Sequence, residues 1–143
     1  VPEGVYKQDW GKARVHKAEW EGTPVTVVAV SYLVHEALKV QEEMRKRGIR
    51  VDVIDPITLR PCDIETIAKS VAQTGRLVVA DPDWRTAGFA QYVIAELTMM
   101  GVQFATPPRI VCLPDEPAPS RKDLEDEYYP TSDDIVREIL EVL

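Results

Sequence analysis

Cysteine and histidine are scarce in this sequence, which limits the chemistry that the chain could perform. The 143 residues include two cysteines, Cys62 and Cys112, and two histidines. Neither cysteine belongs to a CxxC pair or a Cys/His cluster, so the sequence predicts no metal site and two buried, reduced thiols. Reduced thiols favour a cytoplasmic location, or the mitochondrial matrix if the organism is eukaryotic.

Basic residues and long apolar runs are also in short supply. The 17 Lys and Arg residues are outnumbered by 24 Asp and Glu residues, which gives a formal charge of −7. Nucleic acids and anionic membranes need clustered cations, so we expect neither as a partner. No apolar stretch approaches the roughly 20 residues that span a bilayer. The first four residues lack the features of a signal peptide and an initiator Met, and we expect a processed or excised piece.

What the sequence does contain is an alternation of short apolar runs and amphipathic segments. The apolar runs, which predict strands buried on both faces, are residues 25–30, 51–54, 77–80 and 110–113. The amphipathic segments, which predict helices, are residues 33–47, 64–74 after an Asp63 N-cap, 89–100, and 133–143 after a Ser132 N-cap. The alternation predicts a three-layer α/β fold, a mostly parallel sheet of about five strands with helices on both faces.

Two segments lie outside this alternation. We expect residues 1–24 to form a leading arm, with a short strand at residues 13–16, and residues 25–143 to form one α/β domain. Residues 114–131 are rich in proline, and we expect an irregular loop that contacts another molecule.

The sequence predicts no catalytic residue and no cofactor-binding loop. The turn at residues 31–33 contains no glycine, so a pyrophosphate could not approach its backbone closely. A receiver-like signalling module could use Asp55 and Asp81, but it also needs an acid in that same turn. No serine or cysteine lies in a nucleophile elbow.

Candidate interface residues lie where strands are followed by helices. His35 is predicted in the first turn of a helix, where a hydrogen-bonding or interface role is favoured over catalysis. Residues 81–89 combine Asp81, Trp84, Arg85 and Phe89 in one predicted loop. Two interpretations stay open: Asp81 pairs with Arg85 while Trp84 covers the core edge, or the loop anchors an interface through Trp and Arg.

Several stretches, in order along the chain, resemble a known family. They are residues 1–6 with 11–13, 25–28, 48–55, 58–67, 70–71 with 74–79, 85–89, and 124–125 with 130–136, of which 58–67 (TLRPCDIETI) is the most specific. Together they resemble the C-terminal domain of the transketolase superfamily, specifically the E1 β subunit of pyruvate, branched-chain 2-oxoacid or acetoin dehydrogenases. The chain departs from the family at residues 56–57, Ala87 (commonly glycine), Tyr92 and 119–122, so the 2-oxo acid is not indicated.

The resemblance implies a domain for assembly and docking. Residues 1–24 would be the linker from a preceding domain, and thiamin diphosphate with Mg²⁺ would lie between two other domains. This chain alone would bind no cofactor and be inactive. Its implied partners are an E1 α subunit, a second E1 β subunit and the subunit-binding domain of an E2 acyltransferase, so a homodimer or hetero-oligomer is expected.

The chain's acidic end offers one docking surface that the resemblance implies. Glu138, Glu141 and the carboxylate of Leu143 would suit a basic partner, although an ordinary solvated helix face has the same composition.

Two other function classes stay open. One is the C-terminal domain of a split transketolase or deoxyxylulose phosphate synthase, in which Arg85 would help to bind phosphate; the other is a stand-alone signalling module.

Overall fold

The predicted alternation of strands and helices is present in the computed structural model, which describes residues 7–143. The elements are β1 (Arg14–His16), β2 (Thr23–Ala29), α1 (Leu33–Arg45), β3 (Ile49–Asp55), α2 (Ile64–Thr74), β4 (Leu77–Trp84), α3 (Phe89–Met99), β5 (Arg109–Leu113), α4 (Lys122–Tyr128) and α5 (Ser132–Glu141). The strand order in the sheet is β1-β3-β2-β4-β5. Strands β2 to β5 are parallel, and β1 pairs antiparallel with β3. The predicted α/β architecture is confirmed.

Two apolar cores lie on opposite faces of the sheet. One packs α1 and α5 against residues such as Val27 and Val53, and the other packs α2 and α3 against residues such as Val28 and Ile54. Adjacent residues of a strand therefore enter different cores, as strand geometry requires. This is why β2 and β3 are apolar along nearly their whole length.

Helix ends follow local chemistry in most cases. Asp63 caps α2 by accepting the N–H of Thr66 at 3.4 Å, as predicted, and Gly75 ends the helix with a φ of 69°. The predicted Ser132 N-cap is wrong, because Thr131 takes that position. The carboxylate of Asp134 accepts the Thr131 N–H at 2.8 Å, which fixes the start of α5 one residue earlier.

Two predicted loops contain regular structure. Residues 81–84, predicted as loop, extend β4, because Trp84 pairs with Leu113 after a register shift in the ladder. The proline-rich segment, predicted as irregular, contains α4, because its prolines lie outside residues 122–128. Helix α1 also ends two residues earlier than predicted, in a turn that closes on Gly48.

The leading arm is held against the domain from residue 13 onward. Besides backbone pairing, four hydrogen bonds that involve a side chain join the two: Ala13 N to Asp63 (3.1 Å), Ala18 N to Asp52 (3.0 Å), Trp20 Nε1 to the Ile49 carbonyl (3.0 Å) and Gln41 Nε2 to the His16 carbonyl (2.8 Å). The short strand expected in this arm is present as β1. Residues 1–6, which carry part of the expected linker, lie outside the described residues.

The lengths and apolar content of the described helices can be compared with what a membrane-spanning helix requires. Between residues 7 and 143, none is long and apolar enough to cross a bilayer. Both cysteines are free, as predicted, but each is only partly buried, because it lies at the rim of a core.

Candidate partner interface at the carboxyl edge of the sheet

Asp81 lies at the end of the straight part of β4, where its carboxylate fixes the start of α3. The side chain is buried and accepts the Ala90 N–H at 2.9 Å. Burial raises its pKa, although the Ala90 hydrogen bond opposes this shift. Gly88 is required in the turn between them, because a Cβ there would lie 2.4 Å from the Trp84 carbonyl oxygen.

Of the two interpretations of this loop, the one that pairs Asp81 with Arg85 is wrong. Within residues 7–143 no ion pair joins them, since Asp81 is already used by the α3 backbone. Arg85 lies instead beside Cys112 and Asp115. It lines a cavity of about 300 Å³ along β5, together with Tyr128 and others. The guanidinium is therefore exposed at the surface.

Trp84 is half-exposed, at 49%, and does not cover the core edge. Its indole Nε1 donates to the Tyr128 hydroxyl at 3.3 Å, and that hydroxyl donates to the Glu116 carbonyl at 2.7 Å. Thr86 N and Oγ1 both donate to the Asp115 carboxylate, at 2.8 and 2.7 Å. Hydrogen bonds thus join the β4–α3 loop to the proline-rich segment, and we call residues 84–86 with 115–129 the edge flap.

The remaining predicted residues lie apart from one another. Phe89 is partly buried against the α2–α3 core and stacks on Tyr92, with ring centroids 5.8 Å apart. His35 is exposed and lines a different cavity, beside β1 and β3. Leu143 lies at the other edge of the sheet, because the carbonyl of its neighbour Val142 accepts from Arg76, just before β4. The six predicted residues therefore do not form one continuous surface.

The acidic end of α5 is also less available than predicted. Glu138 accepts Arg109 Nε at 2.7 Å and is mostly covered. It is therefore neutralised within the chain, which favours the reading of this face as an ordinary helix surface over a docking site for a basic partner.

Sequence reasoning missed the aromatic and acidic side chains around α4. The Tyr32 hydroxyl donates to the Pro130 carbonyl at 3.0 Å, and burial raises the pKa of Tyr32 to about 12, with Glu36 adding to the shift. A cavity of about 380 Å³ is lined by Tyr32, Glu36, Glu125, Tyr129 and others. The sequence feature that could have indicated them is the pair of tyrosines at 128–129, which lies within the segment expected to be an irregular loop.

The residues described do not fit a metal-held diphosphate. From residue 7 to the end of the chain, no three His, Cys, Asp or Glu side chains could hold a metal ion. The turn before α1 contains Ser31 and Tyr32 in place of glycine, so a side chain occupies the approach to the helix N-terminus.

Comparison with known sequences gives consistent relatives. The family model described as "Transketolase, C-terminal domain" matches residues 11–135. "Pyruvate dehydrogenase E1 component subunit beta" of Staphylococcus aureus is 36% identical over 144 aligned positions, covering 100% of this chain and 43% of the relative. The same-named protein of Staphylococcus epidermidis is 46% identical over 97 residues, covering 68% of this chain and 29% of the relative. The chain thus spans less than half of these relatives.

Solved structures agree on the fold and the family. A structure titled "Split gene transketolase, inactive beta4 tetramer" matches with a TM-score of 0.75 and 26% identity, covering 100% of this chain and 46% of that one. A 2-oxoglutarate:ferredoxin oxidoreductase from Magnetococcus marinus matches with a TM-score of 0.63 and 14% identity, over 93% of this chain and 20% of that one, and so shows the fold alone. On these findings, and on the family match over most of its length, the chain belongs to the transketolase C-terminal domain family.

Proposed function

We propose that this chain is the C-terminal assembly and docking domain of a thiamin diphosphate-dependent 2-oxoacid dehydrogenase E1 β subunit. The parent enzyme would decarboxylate a 2-oxo acid and transfer the acyl group to the lipoyl group of an E2 acyltransferase. The observation that carries the proposal is the alignment of the whole chain with less than half of an E1 β subunit. The implied location is the cytoplasm, or the mitochondrial matrix in a eukaryote.

A division of labour between domains supports this assignment. The coenzyme and Mg²⁺ would be bound by the rest of the β subunit, by an E1 α subunit and by a second β subunit. This chain would supply surfaces that hold those parts together. The buried Asp81 and the tight turn at Gly88 fit that role, because they fix a loop at a sheet edge without exposing a reactive group.

The edge flap is the surface that we propose for docking. Trp84 and Tyr129 are exposed, and Trp and Tyr are the residue types that dominate interface energetics. Residues 115–127 carry six acids against Arg121 and Lys122. A basic module such as the E2 subunit-binding domain would therefore be attracted to this flap, with association that weakens as salt increases.

A binding experiment tests the docking role. The E2 subunit-binding domain encoded by the same genome would be titrated calorimetrically into the chain and into two variants. Trp84→Ala should weaken binding about tenfold or more, because it removes an aromatic anchor. Trp10→Ala is the matched control, since Trp10 is 77% exposed on the leading arm outside the flap. Equal affinity of both variants and the unmodified chain would reject the flap as the docking surface.

A second titration tests the division of labour itself. Thiamin diphosphate with Mg²⁺ is expected to give no saturable heat with the isolated chain. The same titration into the full β subunit assembled with E1 α should show binding. Clear micromolar binding to the isolated chain would contradict the proposal that the coenzyme is bound elsewhere.

A split transketolase is the second candidate, supported by the structural match over 100% of this chain with a TM-score of 0.75. Such an enzyme handles sugar phosphates, and Arg85 in its cavity beside β5 would be the phosphate-binding residue. Assembly of the chain with its missing half, followed by assays with a 2-oxo acid or a ketose phosphate, separates the two. Turnover of the ketose phosphate alone would favour the second candidate.

A further inference from the structure

A cavity outside the edge flap brings both histidines of the chain to one place. It has a volume of about 370 Å³ and lies between β1, the ends of β2 and β3, and the first turns of α1. Its lining consists of Arg14, His16, Ser31, Val34, His35, Leu38, Asp55 and Ile57. The volume is within the range of small-molecule sites. We call it the histidine cavity.

Two opposite charges lie side by side in the lining of this cavity without forming an ion pair. Arg14 of β1 is the direct cross-strand neighbour of Asp55 of β3, so both side chains lie on the α1 face of the sheet. Among the described residues, however, no ion pair links them within 4.0 Å. Arg14 Nη2 donates to Gln8 at 2.7 Å, and the Asp55 carboxylate accepts the Ile57 N–H at 2.9 Å. Each charged group therefore makes one hydrogen bond to a neutral partner and can form a further hydrogen bond with a ligand.

The rest of the lining divides into a polar and an apolar part. His16 lies two residues after Arg14, hence on the same face of β1, and the carbonyl of His16 is held by Gln41. His35 and Ser31 add a second imidazole and a hydroxyl. Val34, Leu38 and Ile57 form the apolar part. A ligand that fits must therefore carry both charges close together and a short apolar group.

Two of the three non-glycine residues with a positive φ in the described part of the chain lie at this cavity. Ser31 and Ile57 have φ values of 58° and 60°, in the left-handed region that disfavours a β-branched residue such as isoleucine. Both residues follow adjacent strands and line the histidine cavity. Such conformations often occur at ligand-binding sites, where the surrounding structure maintains them.

From these observations we propose that the histidine cavity binds a small aliphatic α-amino acid. Its carboxylate would be recognised by Arg14 with an imidazole, its ammonium group by Asp55, and its side chain by Leu38 and Ile57. Only a zwitterion satisfies both unjoined charges at once, whereas a simple anion would be repelled by Asp55. The proposal goes beyond the docking function and does not depend on it.

Calorimetric titration of the 143-residue chain with L-leucine tests the proposal. Saturable binding at one site is expected, and Asp55→Asn and Arg14→Gln should each weaken it about tenfold, since each removes a charge-assisted hydrogen bond. Asp123→Asn and Arg121→Gln are the matched controls, because these exposed residues pair with each other at the start of α4, outside the cavity. Neither control should change the affinity.

Two leucine analogues make the test sharper. 4-Methylpentanoate lacks the ammonium group and 3-methylbutylamine lacks the carboxylate, so both should bind at least about tenfold more weakly than leucine. Asp55→Asn should weaken leucine binding but strengthen 4-methylpentanoate binding, a reversal that simple unfolding could not produce. Circular dichroism verifies that each variant is folded. The proposal is overturned if about 10 mM leucine gives no binding heat, or if folded Asp55→Asn and Arg14→Gln bind it unchanged.

Discussion

Buried and partly buried carboxylates organise this chain at the scale of single residues. Asp52, Asp63 and Asp81 each accept a backbone N–H from a distant segment, those of Ala18, Ala13 and Ala90. The sequence placed acids at strand ends and at a helix cap, and predicted the cap at Asp63 correctly. The backbone N–H groups that bind these carboxylates could not be predicted, because every residue except proline has such a group and the residue type does not indicate which one is used.

Asp81 gives a prediction with a defined pH dependence. Burial raises the pKa of Asp81 in the folded protein, so the folded protein binds the proton more tightly than the unfolded chain does. The stability that this group contributes is therefore present below the pKa of the unfolded chain and is lost as pH rises through the folded pKa. Asp81→Asn should remove this fall and preserve the hydrogen bond to Ala90. Asp81→Ala should lower the free energy of unfolding by about 1–3 kcal/mol, because a buried N–H loses its acceptor.

Urea unfolding between about pH 3 and about pH 7 measures both effects on stability. The comparison of Asn with Ala is the internal control, since both substitutions remove the charge. Equal destabilisation by the two would show that the hydrogen bond to Ala90 contributes nothing.

Cys62 gives a second prediction for a single residue. Burial raises the pKa of its thiol to about 11, with Asp63 and Glu96 adding to the shift. Alkylation of Cys62 by iodoacetamide at about pH 8 should be about a hundredfold slower than that of a free thiol, and the rate should still be rising at about pH 10. Mass spectrometry of the native chain follows the rate, with the urea-unfolded chain as control. A plateau near the pKa of a free thiol would contradict the structure.

At the scale of elements, most features that depend on neighbouring residues could be predicted from the sequence, whereas pairing between distant segments could not. The bounds of α2 follow from Asp63 and Gly75, which are local signals. The extension of β4 depends on pairing between Trp84 and Leu113, 29 positions apart, and no local pattern indicates it. The Thr131 cap depends on Asp134, which a search for the capping box would have found.

The Asp63 cap predicts how α2 and the leading arm are coupled. Burial opposes ionisation of Asp63, but the hydrogen bonds from Ala13 and Thr66 outweigh it and lower the pKa. The stability that they provide is therefore present above the ordinary pKa of an aspartate and is lost as pH falls through the folded pKa. Asp63→Ala should destabilise the chain by about 1–3 kcal/mol near pH 7 and by less in acid.

Thermal or urea unfolding checks this value, and hydrogen exchange at Ala13 reports the arm separately. Glu65→Ala is the control, because Glu65 lies in the same helical turn. Unchanged exchange at Ala13 in Asp63→Ala would show that the arm is held without this carboxylate.

Helix α4 gives a prediction about local stability. All seven of its residues lie in the described part of the chain, and none is buried. Isolated helices of this length are marginal in water, so its amides should exchange close to the rate of an open chain. The amides of α5 at Ile135 and Ile139, which are fully buried, should be strongly protected. Protection of α4 equal to that of α5 would contradict this expectation, while protection gained upon addition of the E2 domain would support docking at the edge flap.

At the scale of the whole molecule, several large apolar side chains are exposed to solvent. Leu59, Trp84 and Tyr92 lie toward the carboxyl edge of the sheet, each between 43% and 49% exposed. Patches of this kind commonly contact another protein. We expect the chain to self-associate through this edge.

Sedimentation velocity over a range of concentrations tests the self-association. The sedimentation coefficient should rise with concentration, and Leu59→Lys should suppress the rise by placing a charge in the contact. Met99→Lys is the matched control, because Met99 is 73% exposed at the end of α3, toward the opposite edge. A coefficient that does not change with concentration would reject self-association of this chain.

The amino-acid sequence was enough to predict the fold class, the number and kind of the main elements, and the family resemblance. These follow from the periods of apolar residues and from local cap chemistry, which are properties of contiguous stretches. The folded structure was needed to establish the strand order, the pairing of α1 with α5 and of α2 with α3, and the placement of the predicted interface residues at different locations. The physical reason is that crossovers and long-range hydrogen bonds join residues far apart in the chain, and their geometry is fixed only when the two cores pack.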